Sequence, residues 1–199
     1  MHESVRADAA RALDMAEQAL RAERVIVLPT DTVYGLAALP DSSRAIDELY
    51  ALKDRPESMP IALLVASSEQ VSALAASVPA AAERLIEAFW PGPLTLVLAA
   101  REGSGRDTVG VRCPANGFVR ALAERVGPLA VTSANRHGQP TAATAIDAAR
   151  SLTGEVAVVI DGGSCDGIAS TVVDATDPTL PLLREGAVRR EQVLGAALR

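Results

Sequence analysis

The chain has 199 residues, long enough to bury one good core, and length alone predicts a single domain over residues 1–199. A formal charge of -6 and a pI near 5.0 argue against broad electrostatic attraction to nucleic acid, and aromatics at 3% leave few stacking platforms. The longest apolar runs fall well short of the roughly 20 residues that cross a bilayer. An N-terminal stretch carrying Glu3, Asp8, Asp14 and Glu17 is unlike a secretory signal, so a cytoplasmic location is expected.

In chain order, residues 7–22 place Ala9, Leu13, Ala16 and Leu20 at helical intervals, and residues 24–28 then read as a buried strand. Asp41 or Ser42 caps a second helix, in which Ile46, Leu49, Tyr50 and Lys53 share one side. Further strands are predicted at 61–65, 94–98, 109–112, 129–132, 156–160 and 171–173, with helical patterns near 68–76, 80–89, 117–126 and 144–152. The alternation indicates an α/β protein. Two strands follow one another between 94 and 112, so a mixed sheet is expected, with a surface hairpin at 101–107.

Five segments carry candidate chemistry. Pro29-Thr30-Asp31-Thr32-Val33-Tyr34-Gly35-Leu36 follows a strand, where short polar groups suit ligand binding in the crevice of an open sheet. A turn into a helix, capped by Asp31 or Thr32, explains the same residues equally well. Lys53-Asp54-Arg55-Pro56 puts two cations two residues apart past a helix end, able to converge on a polyanion or simply to face solvent. Lys53 is the one lysine among 19 basic residues, which favours the functional reading.

Phe89-Trp90-Pro91-Gly92-Pro93-Leu94-Thr95 is a helix stop and strand start, with Thr95 placed to present a hydroxyl. Val131-Thr132-Ser133-Ala134-Asn135 runs a buried strand into hydroxyl and amide groups, suited to phosphate or ribose, or to a local turn. Residues 161–174 join paired glycines to Ser170 and Thr171, and Arg184 ends a later strand with a further guanidinium. The two cysteines, Cys113 and Cys165, lack metal-ligand spacing and read as ordinary thiols. Cations and hydroxyls without a nucleophile constellation or a P-loop describe a nucleotide site that works by positioning and charge stabilisation.

The ordered segments PTDTVYGL, LKDRP, FWPGPLT, VGVRCP, TSAN and STVVD followed by LREG resemble the YrdC family of threonylcarbamoyl-AMP synthases. The resemblance implies a twisted mixed β-sheet, flanked by helices, around a concave cavity. It implies ATP and L-threonine as bound substrates, with Mg2+ on the phosphates. The implied reaction converts the threonine amine and bicarbonate or CO2 into a carbamate, whose oxygen attacks the α-phosphorus of ATP and expels pyrophosphate.

Carried onto this chain, Lys53 and Arg55 grip the triphosphate, and Thr95, Ser133, Asn135 and Arg184 complete the ATP site. Thr32, Arg112 and Ser170 or Thr171 hold threonine and the carbamate. No metal ligand is assigned to protein side chains. The product serves N6-threonylcarbamoyladenosine formation in tRNA through a downstream threonylcarbamoyltransferase, by a monomer or homodimer. Two departures from the family pattern stand out: His137 occupies a usual Ser position, and the chain ends at Arg199 without the extra C-terminal domain of some relatives. The rival readings are a non-catalytic double-stranded RNA or tRNA-binding module of the same fold, and a carbamoyl-AMP domain like that of hydrogenase-maturation carbamoyltransferases.

Overall fold

A computed structural model describes residues 3–165 and 167–198, with the side chain of Glu3 outside the description. In chain order the elements are β1 Glu3–Arg6, α1 Ala12–Arg21, β2 Ile26–Leu28, β3 Gly35–Ala38, α2 Ser43–Lys53 and β4 Ala62–Leu64. A 3-10 helix at Ser68–Ala73 leads to α3 Ala80–Phe89, β5 Leu94–Ala99, β6 Thr108–Arg112, α4 Gly117–Val126 and β7 Leu129–Ser133. The chain then continues through α5 Ala145–Arg150, β8 Val158–Asp161, β9 Thr171–Asp174, β10 Leu182–Arg184 and α6 Arg190–Ala197. The strands form one sheet in the order β1-β8-β2-β3-β7-β4-β6-β5-β9-β10. It is mixed: β1, β8 and β2 are parallel, as are β4 with β6 and β5 with β9, while the remaining neighbours are antiparallel. This is the α/β class expected, with the β5–β6 antiparallel pair where two strands follow in succession.

Strand periodicity explains the layers. Along residues 25–28 every side chain is buried, Val25 and Val27 in one apolar cluster and Ile26 and Leu28 in the other, because both faces are covered. Each such side chain contributes about 1.5–3 kcal/mol by leaving water. The first cluster runs the length of the sheet and takes residues from α2, α3, α5 and α6. The second is built on α1 and α4 and contains no residue of β5, β6, β9 or β10. On that uncovered half the outward positions include Thr95, Val97, Gly110, Arg112 and Val172, small or polar where a core would need Leu or Ile. The candidate site occupies this open half-face.

Helix starts follow their caps. Ser42 accepts from the Ala45 amide at 3.2 Å, Asn116 from Val119 at 3.2 Å and Thr144 from Asp147 at 3.3 Å. Four features differ from the expected pattern. No strand is expected at 35–38, yet β3 is a central strand between β2 and β7, and a Cβ on its Gly35 would lie 2.7 Å from Val131 Cγ1. Residues 68–73 are a 3-10 helix, and β1 and α6 add elements at the two ends.

Candidate functional site

The segment between β2 and β3 is a loop between antiparallel strands, so Asp31 and Thr32 cap no helix. Thr30 organises it. Its hydroxyl donates to the Val33 carbonyl at 2.6 Å and accepts from the amides of Thr32 and Val33 at 3.1 and 3.2 Å. The Thr30 and Thr32 hydroxyls lie 2.9 Å apart. Thr32 in turn accepts from Arg112 Nη1 at 2.9 Å.

Arg112 is 5% exposed, and three of its nitrogens are engaged: Nε with the Gly92 carbonyl at 2.9 Å, Nη1 with Thr32, and Nη2 with Asp31 Oδ1 at 2.7 Å. Burial pushes the guanidinium pKa below its ordinary value, and the Asp31 carboxylate opposes that shift. Among the described residues, two of its five N–H groups have no hydrogen-bond partner.

A second corner forms where α2 ends against the end of β7. Asp54 adopts the left-handed conformation at φ 52°, and the Arg55 amide closes onto the Tyr50 carbonyl at 3.1 Å, so the chain turns sharply after Lys53. The alternative of a cation facing solvent on an open helix end does not hold: Lys53 is 1% exposed. Its ammonium donates to the carbonyls of Ser133 and Asn135 and approaches Asn135 Oδ1 at 3.4 Å. The Lys53 carbonyl accepts from the His137 amide at 2.8 Å, tying backbone to backbone. Burial, reinforced by Arg55, lowers the Lys53 pKa to about 8. Arg55 donates from Nη2 to the Pro60 carbonyl at 3.0 Å, while its buried Nε has no partner among the described residues. An orphaned buried donor facing other cations fits an anionic ligand.

The third corner joins β5, β9 and β10. Thr95 Oγ1 and Ser170 Oγ lie 2.9 Å apart, and Arg184 binds Ser170 twice, from Nε to its carbonyl and from Nη2 to its hydroxyl, both at 3.0 Å. The Arg184 pKa is lowered by burial and then by Arg112 and Arg55, so three guanidinium groups share one field. Among the described residues, Asp31 is the one carboxylate ion-paired with any of Lys53, Arg55, Arg112 and Arg184.

Two expected site residues, Thr171 and Asn135, play different parts, and His137 stands where the family pattern has Ser. Thr171 is fully buried with its hydroxyl saturated: it donates to the Val188 carbonyl at 2.6 Å and accepts from the amides of Gly186 and Val188, each at 3.0 Å. Strand alternation puts it on the face opposite Ser170, so of the pair expected to hold substrate, Ser170 alone meets Arg184. Asn135 spends its amide protons on the Arg136 and Gln139 carbonyls at 3.0 and 2.6 Å, shaping the 135–139 turn rather than reaching into open space. His137 is exposed and joins Lys53 through its backbone.

Asp31 and Tyr34 lie in the first candidate segment but receive no site role from the sequence. The Tyr34 hydroxyl donates to the Gly163 carbonyl at 2.5 Å and accepts from the Gly162 amide at 3.1 Å, fastening the 161–163 segment beside the threonine loop. Its pKa rises to about 12, chiefly through burial. Among the described residues, Cys113 and Cys165 form no disulfide.

Comparison with known proteins matches residues 18–186 to the Sua5/YciO/YrdC family model, described as "Telomere recombination". The chain belongs to this family. A Mycobacterium leprae relative named "Putative threonylcarbamoyl-AMP synthase" is 41% identical over 197 residues, covering 94% of this chain and 89% of the relative. The Pyrococcus abyssi threonylcarbamoyl-AMP synthase is 38% identical, and this chain spans 54% of its length. Among solved structures, P. abyssi Sua5 complexed with L-threonine superposes with a TM-score of 0.90 at 36% identity, over 98% of this chain and 60% of that one. Escherichia coli YciO superposes at 0.84 and 26% identity, covering 97% and 98%. No helix among the described residues is long and apolar enough to cross a membrane.

Proposed function

We propose that this member of the Sua5/YciO/YrdC family is a threonylcarbamoyl-AMP synthase, acting on L-threonine, bicarbonate or CO2, and magnesium ATP. One observation carries the reading: Arg184 lies in the field of Arg112 and Arg55, and Arg55 in turn acts on Lys53, while among the described residues a single carboxylate is paired to any of the four. Such a surplus of positive charge, partly desolvated, suits a triphosphate and the charge that moves onto leaving pyrophosphate. The relatives named above and the threonine-bound archaeal structure support the choice of substrates.

In this reading Arg112 receives the threonine carboxylate with its two remaining N–H groups, and Thr32 and Ser170 present hydroxyl oxygens nearby. Arg55 offers its unpartnered Nε to the phosphates. Lys53, Ser133 and Asn135 form the wall behind them, and Thr95 with Ser170 steadies Arg184. Mg2+ enters as part of the ATP substrate, supplying charge on the phosphate oxygens. Once the carbamate exists it is already anionic, so in-line attack at the α-phosphorus needs positioning and charge stabilisation rather than a general base. The product is consumed by a transferase that modifies tRNA adenosine, in the cytoplasm. Pyrophosphate release from ATP, measured with and without L-threonine and bicarbonate, tests the reading. It is expected to require both additions, and release independent of threonine would overturn it.

A further inference from the structure

We propose that Asp31 binds the α-ammonium group of the amino-acid substrate through its Oδ2 and orients the carbamate that forms there. The inference rests on the substrate reading above. An α-amino acid carries its carboxylate and ammonium on one carbon, so a receptor for it needs a cation and an anion side by side. Arg112 and Asp31, 2.7 Å apart and with side chains 6% and 16% exposed, are such a pair.

The alternative role for Asp31 is to hold Arg112 in place. Arg112 already has two further anchors, the Gly92 carbonyl and Thr32, and the loop bearing Asp31 is fixed by Thr30. Asp31 is bonded through Oδ1 alone, with no protein hydrogen bond to Oδ2 among the described residues. For a ligand that brought only a carboxylate, Asp31 would be harmful, competing for the guanidinium and repelling the incoming charge. A partly desolvated acid next to a carboxylate receptor makes sense when the ligand also brings a positive group.

The same acid gives the reaction a direction. Carbamate formation makes an N–C bond to CO2 while the ammonium gives up two protons to solvent, leaving one N–H that still donates to Asp31. The new carboxylate is anionic: Asp31 repels it, while Arg55, Lys53 and Arg184 attract it. The carbamate oxygens therefore swing toward the cations, where the triphosphate binds. Asp31 is assigned no proton-abstracting step.

The test is calorimetric titration of L-threonine and of its amine-free analogue, 2,3-dihydroxybutanoate of matching stereochemistry, into wild-type protein and Asp31→Asn. Wild type should prefer L-threonine at least tenfold. Asp31→Asn should lose that preference, binding threonine at least tenfold more weakly while the analogue changes less than threefold. Equal loss for both ligands would make Asp31 an anchor of Arg112 only, and unchanged threonine affinity would overturn the proposal outright. Should Asp31→Asn fail to fold, wild-type binding decides alone, because equal affinity for the two ligands sinks the assignment. Failure of wild type to bind L-threonine at all would instead overturn the substrate reading beneath it.

Discussion

Lys53 and Arg112 are both cations at least nine-tenths removed from water, yet they are compensated in opposite ways. The Lys53 ammonium is held by two main-chain carbonyls, dipoles without net charge, so its corner stays positive. Arg112 is held by one carbonyl, one hydroxyl and the Asp31 carboxylate, so its corner is close to neutral overall but strongly polar. Dipolar compensation keeps charge available for a ligand, whereas ionic compensation creates a pair able to meet a ligand carrying both signs. In the proposed reading, the dipolar corner suits a polyanion and the ionic corner a zwitterion.

Removing charge from the paired corner should have the largest effect. Arg112→Met leaves Asp31 buried beside an apolar side chain, and breaking a buried pair from one side costs about 3 kcal/mol or more. Urea unfolding should show that loss together with abolished threonine binding. A stability change under about 1 kcal/mol would mean that Asp31 finds water easily and that the corner is not ionically compensated.

The unpaired corner should respond more in turnover than in folding. Lys53→Met keeps the aliphatic stem but removes the charge, and turnover should fall on the order of 10²-fold, the scale for loss of one preorganised stabilising group. Stability should drop by about 1–3 kcal/mol, because the Ser133 and Asn135 carbonyls lose their donor. For a lysine on an open helix end, at most about 1 kcal/mol would be expected. Lys53→Arg should also be impaired, since a planar fork cannot direct its protons onto carbonyls spaced for an ammonium. Pyrophosphate release and thermal melts on both variants check this, and wild-type turnover in Lys53→Met would remove the cationic corner from the mechanism.

The contrast also has a pH signature. The unfolded chain keeps the Lys53 proton to about 10.5, whereas the folded chain releases it near 8. Between those values the unfolded state binds more protons, so the cost of burying the charge is present below pH 8 and is relieved as pH rises toward 10.5. Wild-type stability relative to Lys53→Met should therefore improve across that window, as read from urea midpoints at pH 7.5 and 10. Over the same range kcat/KM for ATP should fall as the ammonium is lost. A flat difference between the two proteins would show that the ammonium is well solvated.

Much of this arrangement was legible in the sequence, and the illegible parts share a cause. Residues 25–28 read as a strand because both sheet faces demand apolar side chains. β3 did not: Gly35-Leu36-Ala37-Ala38 is short and small, and its place between β2 and β7 is fixed by pairing with distant strands. α6 escaped because its buried residues are few, Val193 and Ala197. At the site, the polar motifs announced which residue types gather, and Thr32 with Arg112, Thr95 with Ser170, and Lys53 with Asn135 do meet. What composition and spacing could not give was direction. The sequence left a solvated helix end open for Lys53 because the strand end that buries it lies some 80 residues away. Asp31 could be read equally as a cap or as part of a ligand segment because its partner is 81 residues distant. Long-range pairing, rather than residue type, decides whether a charge is free.

Ser170 and Thr171 give the finest version of the comparison, since adjacent hydroxyls on one strand face opposite layers. Ser170→Ala removes the acceptor for Arg184 Nη2 and the partner of Thr95, loosening a cation at the ligand side. Its effect should be a few-fold loss in kcat/KM with about 1 kcal/mol of stability or less, because the Arg184 bond to the Ser170 carbonyl survives. Thr171→Val keeps the shape but deprives the Val188 carbonyl and the Gly186 and Val188 amides of their shared partner. It should cost about 1–3 kcal/mol in unfolding free energy while leaving ATP and threonine affinities within about twofold of wild type. Steady-state kinetics beside urea denaturation separates the two variants. If Thr171→Val instead weakened threonine binding at unchanged stability, the hydroxyl would have to reach the ligand, and the layer assignment that places it behind the sheet would fall.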